Sequence, residues 1–182
     1  MDQLETERLR LRPAIETDAH FVLALLNDPG YLANIADRGV RGEAEAAEYI
    51  RSAQVFRYGP DGLGFNVVEL TATGEPIGIC GLVKRDTLDH VDVGYALLED
   101  HAGRGYAREA AAAALAHALG PLGLERVVAI TSPENVGSRR VLEAIGMRYE
   151  GLLAVPGYDR DSALYAAGRA GVGSAPAKRR AS

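Results

Sequence analysis

Residues 91–119, "VDVGYALLEDHAGRGYAREAAAAALAHAL", constrain the fold more than any other stretch. The first seven alternate in character, which predicts a strand. Gly103 and Gly105 follow in a turn, and the Ala-rich run predicts a helix from about Arg104 to Leu119, stopped by Gly120-Pro121. A helix start carries unpaired N–H groups and the positive end of the macrodipole, so an anion can sit there if the backbone can approach it. Glycine removes the Cβ atoms that would hold an anion off. Arg104 and Arg108 add charge beside the turn, and Ala107 keeps it slim. The plain structural alternative is a glycine turn leading into a helix packed closely on a sheet. A dinucleotide-binding unit fits poorly. Its third glycine would fall at Arg108, and the next strand ends in Thr131 and Ser132 with no acid to take a ribose.

The chain has 182 residues, the size of one ordinary domain, with 47% hydrophobic residues to fill a core. Its net charge of −5 argues against broad nucleic-acid binding. There is no apolar run of spanning length, so no membrane segment is expected. The charged start "MDQLETERLRLRP" is unlike a secretory signal. A lone cysteine, Cys80, rules out an internal disulfide and fits a cytoplasmic protein; its apolar strand marks it as buried. His20, His90, His101 and His117 have no metal-ligand spacing, so no metal is expected, and His101 reads as part of a surface turn.

"LETERLRLRP" predicts a first strand, and "TDAHFVLALLND" a helix with Thr17 or Asp18 as N-cap. "EAEAAEYIRSAQVF" predicts a second helix, with Glu43, Glu45 and Glu48 on its solvated face. "GFNVVEL", "PIGICGLVKRD" and "HVDVGYALLE" predict two hairpins. After the Ala-rich helix come the strand "RVVAIT", a helix capped by Asn135, and two closing strands. The fold class is α/β (α+β), a single domain over residues 1–170 with a mixed, mostly antiparallel sheet of about seven strands and about four helices. Residues 171–182 read as a disordered tail.

Residues 91–119 resemble the central acetyl-CoA motif of the GCN5-related N-acetyltransferase (GNAT) superfamily. "ITSPENVGSRRVLEAIGM" resembles a block of its RimJ/RimL-like branch, the ribosomal-protein N-terminal acetyltransferases. "LETERLRLRP" and "NIADRGVRGEAEAAEYI" are also similar to that branch, and the resemblance covers about residues 4–169. It implies a GNAT-fold enzyme that moves acetyl from acetyl-CoA directly to a primary amine, a peptide N-terminus or a small molecule. Gly103, Arg104, Gly105, Tyr106 and Ala107 would hold the coenzyme's phosphates. Ala102 departs from the Gln or Arg usual at its position, and Arg104 is the candidate to compensate.

An attacking amine must lose a proton. At pH 7 a lysine amine with pKa about 10.4 is neutral in well under one part in a thousand, an α-amine near 7.8 in roughly one in seven. Alternation puts Val91, Val93, Tyr95 and Leu97 on one face of their strand, and Asp92, Gly94 and Ala96 on the other. An acid beside two small residues suggests an open groove. The resemblance implies that Asp92 is the base, with Glu69 and Tyr95 as lesser alternatives. It further implies that Ser138 supports the leaving sulfur, that Asn135 contacts the pantetheine arm, and that a backbone N–H of Leu97 or Leu98, at a strand bulge, binds the oxyanion. Tyr158 and Asp159 lie where relatives shape the acceptor pocket. Many relatives dimerise, and nothing in the sequence specifies an interface. A catalytically silent acyl-CoA binder and a nicotinamide-dependent oxidoreductase are the rival readings.

Overall fold

In a computed structural model describing residues 3–53, 56, 61–156 and 160–168, the alternating strands form one sheet on which the Ala-rich helix packs. The strands are β1 (Leu4–Glu5), β2 (Leu9–Pro13), β3 (Gly64–Leu70), β4 (Pro76–Lys84), β5 (Val91–Leu97), β6 (Arg126–Thr131), β7 (Arg148–Leu153) and β8 (Ser162–Gly168). The helices are α1 (Ala19–Leu26), α2 (Pro29–Asn34), α3 (Glu43–Ser52), α4 (Tyr106–Leu119) and α5 (Val136–Ala144). The sheet order is β1-β2-β3-β4-β5-β6-β8-β7, antiparallel throughout except for β5 beside β6.

Three differences from expectation are local. The first strand breaks at Thr6–Arg8 into β1 and β2, which pair antiparallel, so the described residues form eight strands rather than about seven. A fifth helix, α2, starts where Asp28 accepts from Gly30 N and Tyr31 N with Pro29 in the first turn. This Asp-Pro start was visible in the sequence. Asp18 sits at the N-cap of α1 but does not cap it; its carboxylate takes Ile15 N at 2.8 Å and both Arg12 terminal nitrogens at 2.7 Å.

The alternation sorts side chains onto two cores. Leu9, Leu11, Val68, Cys80, Leu82 and Val93 pack under Ala110, Ala111, Ala114, Leu115 and Ala118 of α4. Small side chains let that helix lie close to the sheet. On the other face Phe65, Val67, Ile79, Val83 and Ala96 pack against α1 and α3. Strand β5 pairs with β6 only at Val91–Val127 and Asp92–Val128. Beyond that point both strands continue unpaired with each other, and the gap between them opens toward the start of α4.

Candidate active site

A cleft of about 1290 Å³ occupies this gap. Asp92, Leu97, Gly103, Arg104, Gly105, Tyr106, Ala107, Asn135 and Ser138 line it; Leu98 does not. Leu98 N–H donates to Ile77 O at 3.0 Å, continuing the β4–β5 pairing one residue past β5. By strand alternation the Leu97 N–H points to the opposite edge, into the gap. The expected bulge is absent: β5 runs against β4 without a register shift, and the parting from β6 exposes the donor instead.

Asp92 differs from its expected setting. It is 2% exposed, not on an open groove, and Arg85 Nε donates to its Oδ2 at 2.7 Å. The hairpin register sets Val83 opposite Asp92, which brings the residue just past β4 back over the carboxylate. The space beside Gly94 is filled by Phe65; a Cβ there would lie 2.8 Å from the ring's Cζ. Burial pushes the Asp92 carboxyl up to about 6, although the Arg85 charge and hydrogen bond and the Ile130 N–H pull the other way. Its Oδ1 is buried without a hydrogen-bond partner.

Tyr95 reaches across from β5 to the first turn of α5. Its hydroxyl lies 3.1 Å from Ser138 O and 3.0 Å from Ser138 Oγ. Asn135 Oδ1 accepts from Ser138 N at 2.9 Å, the expected cap, and fixes that turn. Burial pushes the Tyr95 phenol up to about 12, so it keeps its proton at neutral pH. Glu69 stands away from the cleft. Arg10 and Arg12 hold its carboxylate at 2.6–2.8 Å, which removes it as a base.

In the glycine turn, Gly103 (φ 72°) and Gly105 (φ 81°) adopt backbone that other residues avoid. A Cβ at Gly103 would meet nothing within 4 Å, so there is open space beside the turn. Two glycines and a helix start beside the cleft leave room for an anionic group there. His101 differs from its expected surface position: its side chain is 12% exposed, 3.6 Å from Glu75. Cys80 is fully buried, and burial pushes its thiol up to about 12. Among the described residues no group of His, Cys, Asp and Glu is arranged to hold a metal ion.

Sequence reasoning missed the far arm of the cleft, where Tyr31, Tyr49, Phe56 and Phe65 converge from three segments. Asp28 joins this arm to the end of β5, accepting from Glu99 N at 3.0 Å while it caps α2. Tyr158 and Asp159, the expected specificity positions, lie outside the described residues, as does the expected tail at 171–182.

The family model described as an acetyltransferase (GNAT) domain matches residues 8–148. The chain is 32% identical over 150 residues to YkkB, an uncharacterised protein of Bacillus subtilis (strain 168), covering 81% of this chain and 86% of that one. An acetyltransferase structure from Agrobacterium tumefaciens str. C58 superposes with a TM-score of 0.76 at 29% identity, covering 92% of this chain and 94% of the other. Mycobacterium smegmatis RimJ, in complex with CoA-disulfide, superposes with a TM-score of 0.68 at 28% identity, covering 88% and 82%. With a parted β5–β6 pair, a glycine turn opening α4 and this match over most of its length, the chain belongs to the GNAT family of acyl-CoA-dependent N-acetyltransferases.

Proposed function

We propose that the protein acetylates an α-amine, that of a peptide N-terminus or of a small molecule, with Asp92 as the proton acceptor. The observation that carries this reading is the buried Asp92 carboxylate at the mouth of the parted strands, with one oxygen held by Arg85 and the other unpartnered.

The turn from Gly103 to Ala107 holds the coenzyme's phosphates through backbone N–H groups and the α4 dipole, with Asn135 beside its pantetheine arm. Bound there, the coenzyme supplies an activated acetyl carbon. The Leu97 N–H donates to the acetyl oxygen as it gains charge. Asp92 Oδ1 takes the amine proton, relayed by water because the carboxylate is buried. The Tyr95–Ser138 hydroxyl pair donates to the sulfur as it leaves. A thiol pKa comparable to the cysteine value of about 8.5 makes modest support sufficient.

Two arguments favour an α-amine. An acceptor near 6 lies about 2 pK units below an α-ammonium and about 4 below a lysine ammonium, so proton removal from the latter is far steeper. Arg85 also balances the Asp92 charge, so the reaction point carries no acidic well for a polycation.

The test is titration with acetyl-CoA followed by an assay of released CoA over an amine panel. Peptides with free N-termini and small α-amines are expected to turn over at least about tenfold faster than polyamines or N-terminally blocked lysine peptides. A preference for polyamines or aminoglycosides would overturn the acceptor class.

A further inference from the structure

The turn that breaks the first strand holds a side chain against the back of the glycine turn. Arg8 Nη1 donates to Arg104 O at 3.1 Å. Its Nε donates to Glu109 Oε2 at 2.7 Å, and its Nη2 lies 2.6 Å from the same oxygen. The guanidinium carbon stands 4.6 Å over the Tyr106 ring, and Nη2 would lie 3.5 Å from a Cβ on Gly105. Arg8 N and Thr6 Oγ both donate to Glu109 Oε1, at 2.9 and 2.7 Å. One arginine thus contacts Arg104, Tyr106 and Glu109, and stands beside Gly105. It does not line the cleft that the turn faces.

Two consequences follow from elementary geometry and charge. In a trans peptide the C=O and the next N–H point in opposite directions. With the Arg104 carbonyl drawn back to Arg8, the Gly105 N–H is turned away from Arg8, toward the side on which Gly105 lines the cleft. Glu109, in the first turn of α4, would otherwise oppose an anion at that helix start; Arg8 and Thr6 satisfy and neutralise it.

We propose that Arg8 is a positioning residue for coenzyme binding: from behind the glycine turn it orients the 104–105 peptide toward the phosphates and cancels the Glu109 charge. This rests on the reading that the turn holds the coenzyme's phosphates. Arginine is required rather than a simple cation, because one planar fork serves a carbonyl and a carboxylate together.

Calorimetric titration with CoA tests it on the wild type, Arg8→Ala and Arg8→Lys. Arg8→Ala is expected to raise the CoA Kd about tenfold or more, with the same rise in KM for acetyl-CoA and none in KM for the amine. Arg8→Lys keeps the charge but not the fork, and is expected to remain at least about fivefold weaker than wild type. If a variant melts lower, the titration is run below its transition, where affinity is still read. A wild-type protein that fails to bind CoA overturns the functional reading itself. Wild-type binding with Arg8→Ala within twofold overturns only the role of Arg8, and full rescue by Arg8→Lys overturns the orienting of the peptide.

Discussion

Asp92 and Arg85 face each other at 2.7 Å across the end of the β4–β5 hairpin, yet the carboxyl is pushed up to about 6 because its burial outweighs its partner. A guanidinium on one oxygen leaves the other free to take a proton. Replacing Asp92 by Asn removes that acceptor while keeping the shape. We expect kcat to fall by about 10²–10⁴-fold. In the wild type, kcat falls as pH drops through about 6, because the protonated carboxyl accepts nothing. The variant's low residual rate should lack that limb, and an unchanged profile would remove Asp92 as the acceptor.

The same shift has a cost in stability. An unfolded Asp titrates near 3.8, so between that value and about 6 the folded state binds the extra proton. Stability from this group is therefore present at low pH and lost as pH rises through about 6. Asp92→Asn escapes this loss. Its Tm relative to wild type is expected to climb by about 5–10 °C between pH 4 and pH 7.5 in matched melting scans. A constant difference across that range would mean the carboxyl is not raised.

Tyr95 and Ser138 share hydrogen bonds between strand and helix, so they should act as a unit on the leaving sulfur. Tyr95→Phe and Ser138→Ala are each expected to lower kcat about fivefold to tenfold, and the double variant to lose little more than the worse single one. The Tyr95 proton stays on well above physiological pH, so no falling limb from it should appear below pH 10. Fully additive losses would separate the two hydroxyls.

Gly94 makes room for the Phe65 ring, and both line the cleft beside Tyr31, Tyr49 and Phe56. Gly94→Ala must displace that ring. The KM for the amine is expected to rise about threefold to tenfold, with the CoA Kd unchanged. Equal effects on both ligands, read by kinetics and titration, would place the acceptor elsewhere.

What the sequence disclosed was local. Period-two alternation sorted Asp92 from Tyr95 correctly, and the cap at Asn135 and the glycine turn were legible because each depends on a few adjacent residues. The burial of Asp92 was not, since it depends on the hairpin register that returns Arg85, and the filling of the space beside Gly94 depends on Phe65 arriving from another strand. The engagement of Leu98 N–H and the grip of Arg8 on α4, 101 residues away from Glu109, are likewise long-range. A hairpin reading carried to its register would have found Arg85; no short-range signal marked Arg8.

Ala102 sits at the head of the glycine turn, exposed, with its N–H donating to Glu99 O at 2.9 Å and its side chain bordering the cleft. The backbone here is extended (φ −66°, ψ 158°), so a long side chain is accommodated without strain. Ala102→Arg adds a cation beside a helix start that already favours anions, a contribution of about 0.3–1 kcal/mol at an exposed site. The expected result is a twofold to fivefold lower CoA Kd, roughly the affinity equivalent of that range. Because an exposed charge is screened, the gain should shrink between about 20 and 300 mM salt. Titrations at both salts would show it. No gain at low salt would mean that the phosphates lie beyond reach of position 102, held by the backbone of Gly103 to Ala107 alone.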